Sequence, residues 1–155
     1  LTVYPLCRRG ERFPFVRPEA EGFERGTARS DAERYAAYLE GIACVERLAY
    51  DTVSSLGAEV GETVYTAGGG TRGEALTQIR ADTSGRTMRV AAVPEAAMGA
   101  AIMAASAITG DAVSVIAGEM VHLASETTPR PALRDAYDDV YGRFLSACKE
   151  QGYLS

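Results

Sequence analysis

The sequence predicts an α/β domain: a mixed sheet with helices packed on it. Three β-rich runs, Leu1 to Leu6, Thr63 to Ala67 and Thr87 to Val93, supply strands. Longer stretches between and after them carry apolar residues at helical spacing. Strands come first and helix then alternates with strand, the order of a layered α/β domain.

Leu1 to Leu6 opens the chain as a strand. Arg8 to Arg29 is charged and turn-rich, with Gly10, Pro14, Pro18, Gly22 and Gly26, and should fold as short antiparallel strands and loops. Ser30 to Glu33 forms an S-x-x-E capping box. After it, Tyr35, Leu39, Ile42, Val45, Ala49, Val53 and Leu56 recur at helical spacing until Gly57. Gly41 lies inside that helix, where Gly costs about 1 kcal/mol relative to Ala, so it marks a close packing contact.

The strand Thr63 to Ala67 leads into Gly68-Gly69-Gly70 and a second helix that runs to Ser84 and ends at Gly85. Thr71 to Glu74 reads as its capping box. Thr87 to Val93 runs as a strand to Pro94, and a third helix spans Ala96 to Thr109, stopping at Gly110. Its Gly99, Ala100, Ala101, Ala104 and Ala105 should let it press against a sheet or helix, with Met98, Ile102 and Met103 filling gaps. Asp111 is expected to cap a short helix to Ala117, and Met120 to Leu123 to form an edge strand. Pro131 suits the first position of a terminal helix carrying Leu133, Tyr137, Val140, Phe144, Leu145 and Cys148.

A chain of 155 residues, 46% hydrophobic, can bury one substantial core, so a single domain is expected. The net charge of −5 argues against a nucleic-acid surface, which needs clustered cations. Among sixteen basic residues Lys149 is the one lysine, and no G-x-x-x-x-G-K-[ST] is present, which excludes P-loop chemistry. Cys7, Cys44 and Cys148 are odd in number and widely spaced; they read as reduced thiols of a cytoplasmic protein, with Cys44 and Cys148 in the core. Ala96 to Ile108 is too short to cross a bilayer and reads as a buried helix, and no signal peptide is visible, so no membrane partner is expected. Leu1 starts directly on a strand, which reads as a fragment of something larger. His122 reads as structural, Glu11 and Arg12 as a loop ion pair, and Asp135, Asp138 and Asp139 as a solvated helix face.

The glycine turn is the functional signal. A strand delivers the chain to a stretch without Cβ atoms, so a ligand can approach the backbone, and the helix beyond offers unpaired N–H groups and the positive end of its dipole. Three adjacent glycines are a poor choice for a turn with only a structural role, because each loses extra conformational entropy on folding. Gly68, Gly70 and Gly73 also satisfy G-x-G-x-x-G, with Glu95 after the next strand in the place of a ribose-binding acid, so an NAD-binding domain of Rossmann type is one reading. A non-catalytic nucleotide-binding or interaction module is another. The third is the nucleotide site of a phosphoryl-transfer enzyme.

Surrounding motifs favour the third. Gly10-Glu11-Arg12-Phe13-Pro14, preceded by Pro5, resembles the P-x-x-x-G-E-R-x-P segment of the C-terminal domain of FGGY-family carbohydrate kinases. Glu21-Gly22-Phe23-Glu24-Arg25-Gly26 is similar to the short strand that follows, and Glu40-Gly41-Ile42-Ala43 to the family's "EGIA" helix. Gly68-Gly69-Gly70-Thr71-Arg72 with Gln78, Ala81 and Asp82 resembles the GGG…Q..AD block, and Met98-Gly99-Ala100-Ala101 the "LGAA" helix. Five blocks in the family's order cover nearly the whole chain.

The resemblance implies an actin-like ATPase domain of ribonuclease H type, a mixed sheet flanked by helices. Residues 1–155 would then be the single C-terminal, nucleotide-binding domain of a two-domain sugar kinase, whose N-terminal domain is absent here. That domain would carry the sugar pocket and the aspartate acting as base. No residue here matches that aspartate, so no catalytic or metal-binding residue is assigned to this chain, and the fragment alone should not phosphorylate a sugar. ATP and Mg2+ are the implied cofactors. Gly68, Gly69, Gly70 and Gly73 would let phosphates and adenosine approach the backbone, with Thr71 and Arg72 at the rim. The implied partners are the N-terminal domain of the same polypeptide and a sugar in the cleft between them; an interface left bare would also favour a homodimer. The chain departs from the family at Pro94, where relatives often carry an acid, and at Glu24-Arg25, where an apolar pair is common and either a loose edge or an edge in contact with a partner would follow.

Overall fold

The computed structural model describes residues 1–154, with the side chain of Arg72 outside the description. Strand β1 (Thr2–Tyr4) pairs antiparallel with β2 (Phe23–Arg25), Val3 opposite Glu24. Helix α1 (Asp31–Ser55) follows; as expected, Ser30 caps it, its hydroxyl accepting from the Glu33 amide, while the Glu33 carboxylate reaches back to the Arg29 amide. Gly41 is the packing contact that its place in a helix announced: a Cβ there would overlap the Val3 carbonyl oxygen, so its absence lets α1 lie on β1.

Strand β3 (Thr63–Thr66) runs parallel to β4 (Thr87–Ala91), and the connection between them holds a 3-10 turn (Gly69–Arg72) and helix α2 (Glu74–Ser84). Helices α3 (Ala96–Thr109) and α4 (Val113–Met120) lead to β5 (Leu123–Thr127), which pairs antiparallel with β4. A second 3-10 turn (Pro131–Leu133) opens onto helix α5 (Arg134–Glu150), with Pro131 at its start as the sequence suggested. The architecture is α/β, but β1–β2 is an antiparallel ribbon separate from the mixed sheet, whose order is β3-β4-β5.

Tyr4, Cys44, Leu48, Tyr141, Phe144 and Cys148 form the core where β1, α1 and α5 meet. On the other side, Met88 and Val90 of β4 and Ala81 of α2 are buried. Polar clamps join the layers. Arg47 of α1 donates to the Thr83 carbonyl at 3.0 Å and to Asp138 at 2.6 Å while lying 4.2 Å over the Tyr141 ring, so it ties α1 to α2 and α5 together. Tyr141 in turn donates to Asp51 at 2.6 Å. Asp138 is therefore a structural anion rather than part of a solvated face.

Five further expectations change. Of the two supports expected for helix α3, a sheet or a helix, it takes the helix, α4, but it is not a buried element: it buries only Ile102, Met103 fills no gap at 61% exposed, and Ile108 is 86% exposed. Asp111 does not cap α4; the cap position is Ala112, and the Ser106 hydroxyl donates to the Asp111 carbonyl. The edge strand begins at Leu123, because Val113 to Met120 keep a helical pattern that buries Ile116. Glu11 does not pair with the Arg12 guanidinium; its carboxylate accepts from the Tyr4 hydroxyl at 2.7 Å and from the Arg12 amide. The β2 edge is not loose either, since Glu24 accepts from Arg34 at 2.7 Å and Tyr38 at 2.8 Å on α1.

Candidate functional site

Thr66, the buried last residue of β3, is held by Arg80 of α2, whose guanidinium donates to its hydroxyl at 2.9 Å and grips both Glu46 oxygens at 2.6 and 2.7 Å. That bidentate pair, with Glu46 also accepting from Tyr50, is largely shielded from water and raises the Arg80 pKa. It fixes the point from which the chain enters the glycine turn. Nothing in the sequence marked Arg80 or Glu46, which are 34 residues apart.

Gly68 turns the chain with φ +89°, a conformation that L side chains rarely adopt. Its amide donates to the Pro94 carbonyl at 2.8 Å, and its own carbonyl accepts from the Thr71 amide and the Thr71 hydroxyl, the latter at 2.7 Å. The turn is thus braced from both ends. Gly69 and Gly70 are exposed, neither has a positive φ, and a Cβ on either would meet nothing within 4 Å. Among the described residues no conformational or packing demand calls for glycine at these two positions.

The expected Thr71–Glu74 capping box does not form. Thr71 turns its hydroxyl back onto Gly68, and α2 starts after Gly73, which occupies the cap position without a side-chain hydrogen bond. The first amides of α2 are consequently left without a side-chain cap beside the turn. Glu74 is the first helical residue, and Thr77 donates its hydroxyl to the Gly73 carbonyl at 3.1 Å. Thr71 and Arg72, the expected rim, both belong to the 3-10 turn, and the side chain of Arg72 lies outside the described residues.

Two cavities flank the turn. One, of about 460 Å³, lies between the start of α2 and the sheet, lined by Thr71, Glu74, Ala75, Thr77, Gln78, Val90, Ser125 and Thr127. The other, of about 410 Å³, is apolar and lies between Ala67-Gly68 and α3, with Pro94, Met98, Gly99 and Ile102 in its walls. Ser125 and Thr127 carried no sequence signal, because the register of β5 decides which of its hydroxyls face α2; Glu74 was expected only as the acid of the capping box that does not form.

Gln78 and Asp82, quoted above as parts of one motif, act together in the wall. The Asp82 carboxylate, fully buried, accepts from the Arg130 amide at 2.7 Å, from the Arg130 guanidinium at 3.0 and 2.6 Å, and from the Gln78 amide nitrogen at 3.1 Å. The same Gln78 nitrogen donates to the Thr128 carbonyl at 3.1 Å. The segment after β5 is thereby stapled to α2, which sets the width of the first cavity. Glu95 caps α3 only through its backbone, and His122 is exposed, its carbonyl accepting from the Ala92 amide. Among the described residues no group of three His, Cys, Asp or Glu is arranged to hold a metal ion, and no helix is long and apolar enough to cross a membrane.

The profile of the FGGY family of carbohydrate kinases, C-terminal domain, matches residues 1–108. The chain belongs to this family. The FGGY match is repeated in three dimensions: a xyloylose kinase from Brucella ovis superposes with a TM-score of 0.86 at 26% identity, covering 99% of this chain and 32% of that one. A xylulose kinase from Rhodospirillum rubrum gives 0.71 at 26% identity over 84% of this chain and 27% of that one. Ligand-bound xylulose kinase from Lactobacillus acidophilus gives 0.84 at 18% identity, a likeness of fold, over 97% of this chain and 31% of that one. The FGGY domain described here therefore spans about a third of the length of these solved kinases. Its fold is the actin-like ATPase fold that the motifs implied, and nothing in the matches points to a dinucleotide-binding domain.

Proposed function

We infer that this chain is the C-terminal, ATP-binding domain of a two-domain kinase that phosphorylates a sugar or polyol hydroxyl, and that Gly68, Gly69, Gly70, Thr71, Arg72 and Gly73 cradle the nucleotide phosphates. One observation carries the reading: Gly69 and Gly70 lie bare and exposed at a helix entrance although nothing among the described residues requires glycine there. Phosphoryl transfer depends on positioning and charge stabilisation, and backbone amides at a braced turn supply both. The relatives named as xylulose or xyloylose kinases at 26% identity set the expected substrate class.

The sugar pocket and catalytic base would lie on the N-terminal domain of the same polypeptide. Mg2+ would be held by phosphate oxygens, water and that domain, in keeping with its preference for few protein ligands. Helix α3, fourteen residues with no charge and most of its surface exposed, supplies apolar area on which the rest of the polypeptide would pack. A cytoplasmic location, where ATP is available, fits the free thiols.

Calorimetry with Mg–ATP and with NAD tests the reading on this chain directly. Mg–ATP should bind and NAD should not; tight NAD binding without ATP binding would overturn it.

A further inference from the structure

Among the described residues, the polar side chains on the helix wall of the 460 Å³ cavity can only accept hydrogen bonds. The Thr71 hydroxyl proton is committed to the Gly68 carbonyl and that of Thr77 to the Gly73 carbonyl, which leaves each oxygen as an acceptor. Gln78 is oriented by chemistry: Asp82 and the Thr128 carbonyl are both acceptors, so its NH2 group must face them, and both of its protons are taken. Only its carbonyl oxygen remains. Glu74, an exposed carboxylate at the mouth, accepts and cannot donate. On the strand wall, the Ser125 and Thr127 hydroxyls can do either, and Ala75 and Val90 supply apolar surface.

Such a cavity favours a ligand part with several donors and a flat apolar body, within the roughly 300–1,000 Å³ of ordinary small-molecule sites. Thr71 belongs both to the glycine turn and to the cavity, so a molecule with phosphates on the turn extends its nucleoside into this space. Glu74 and Gln78 stand one helical turn apart on the same face, roughly 6 Å along the axis, about the length of a base.

We propose that Glu74, with the Gln78 carbonyl oxygen, is the specificity-determining acceptor pair of the nucleotide site and selects a purine that carries an exocyclic amine. The assignment rests on the nucleotide reading of the glycine turn. ATP offers two N–H donors at its C6 amine. ITP puts a keto oxygen there, and an oxygen facing a carboxylate is repelled and leaves the acceptors unpaired.

The test is competitive binding of Mg–ATP and Mg–ITP to the 155-residue chain and to Glu74→Gln. The wild type should prefer ATP by about tenfold or more. Glu74→Gln, which adds a donor at an exposed position and should leave the circular dichroism spectrum unchanged, should bring the two affinities within roughly threefold, chiefly by improving ITP. Equal wild-type affinities, or a preference that survives Glu74→Gln, would overturn the assignment. If both nucleotides bind equally and Gly69→Val weakens both, the phosphate turn stands and only the base selection fails; if neither binds, both readings fail.

Discussion

Asp82 holds Arg130 by both main chain and side chain, one carboxylate oxygen accepting from the Arg130 amide at 2.7 Å and the other from its guanidinium at 2.6 Å. Because the Asp82 side chain is fully buried while Arg130 remains half exposed, the two partners are not equivalent. Removing the acid strands the Arg130 amide and one Gln78 proton out of water, whereas a truncated arginine leaves the carboxylate two of its donors. Asp82→Ala should lower the melting temperature by roughly 10 °C, and Arg130→Ala by less. Differential scanning calorimetry decides; equal shifts would mean the clamp is not organised around Asp82.

Glycines inside two helices should respond oppositely to the same substitution. At Gly41 a Cβ collides with the Val3 main chain, which cannot swing aside, so Gly41→Ala should cost about 1–3 kcal/mol as β1 is pushed off α1. At Gly99 a Cβ meets nothing within 4 Å, so Gly99→Ala should stabilise by up to about 1 kcal/mol through helix propensity alone. Urea titrations of both variants check this, and a stabilising Gly41→Ala would refute the contact.

Local chemistry explains which parts of this architecture were readable beforehand. Ser30 with Glu33, and Gly85 and Gly110 at helix ends, act through neighbours a few residues away, and the elements they bound are found where expected. The glycine turn was readable for the same reason. Thr71 was misread because its hydroxyl has two local acceptor or donor choices, and the 3-10 geometry after Gly68 favours the backward one. The cavity's strand wall and the Arg80–Glu46 brace depend on long-range register, which no local pattern encodes. Helix α3 shows the remaining limit: its composition announces burial, but what covers it is not set by its own residues.

Thiol chemistry offers a check on the core. Cys44 and Cys148 are buried, and burial pushes both thiols up to about 12, so neither presents thiolate near neutrality, whereas Cys7 is exposed. Titration with a disulfide reagent at pH 8 should release one fast equivalent from the native chain and three after denaturation. Two fast equivalents would place Cys44 or Cys148 outside the core.

Acid should weaken the helix layer through Asp138. Hydrogen bonding from Arg47, aided by Arg134 and opposed by slight burial, holds its carboxyl below the ordinary aspartate range. A folded-state pKa below the unfolded one gives stability that is fully present above about pH 4 and is lost as pH falls through the folded value. Glu24 and Glu33, lowered mainly by hydrogen bonds from Arg34 and from the Arg29 amide, act with the same sign. Asp138→Asn should therefore flatten, without abolishing, the fall in stability below pH 4. Parallel acid limbs for the variant and the wild type would show that Asp138 does not contribute.

A side chain at Gly69 should separate binding from folding. The position has open space around it and an ordinary backbone angle, so Gly69→Val can be built without collision inside the chain and should change the melting temperature by no more than a few degrees. The same branched side chain would stand over the amides of the turn and block phosphate approach, as the close contact of phosphate with backbone requires a bare Cα. Mg–ATP affinity measured by calorimetry should fall at least about tenfold, since several charge-assisted hydrogen bonds are lost together. Inorganic triphosphate should be affected as strongly as ATP, because the lost contacts are to phosphate and not to the base. Unchanged affinity in a folded variant would move the phosphate site away from this turn, to the apolar cavity beside α3 or off the domain altogether.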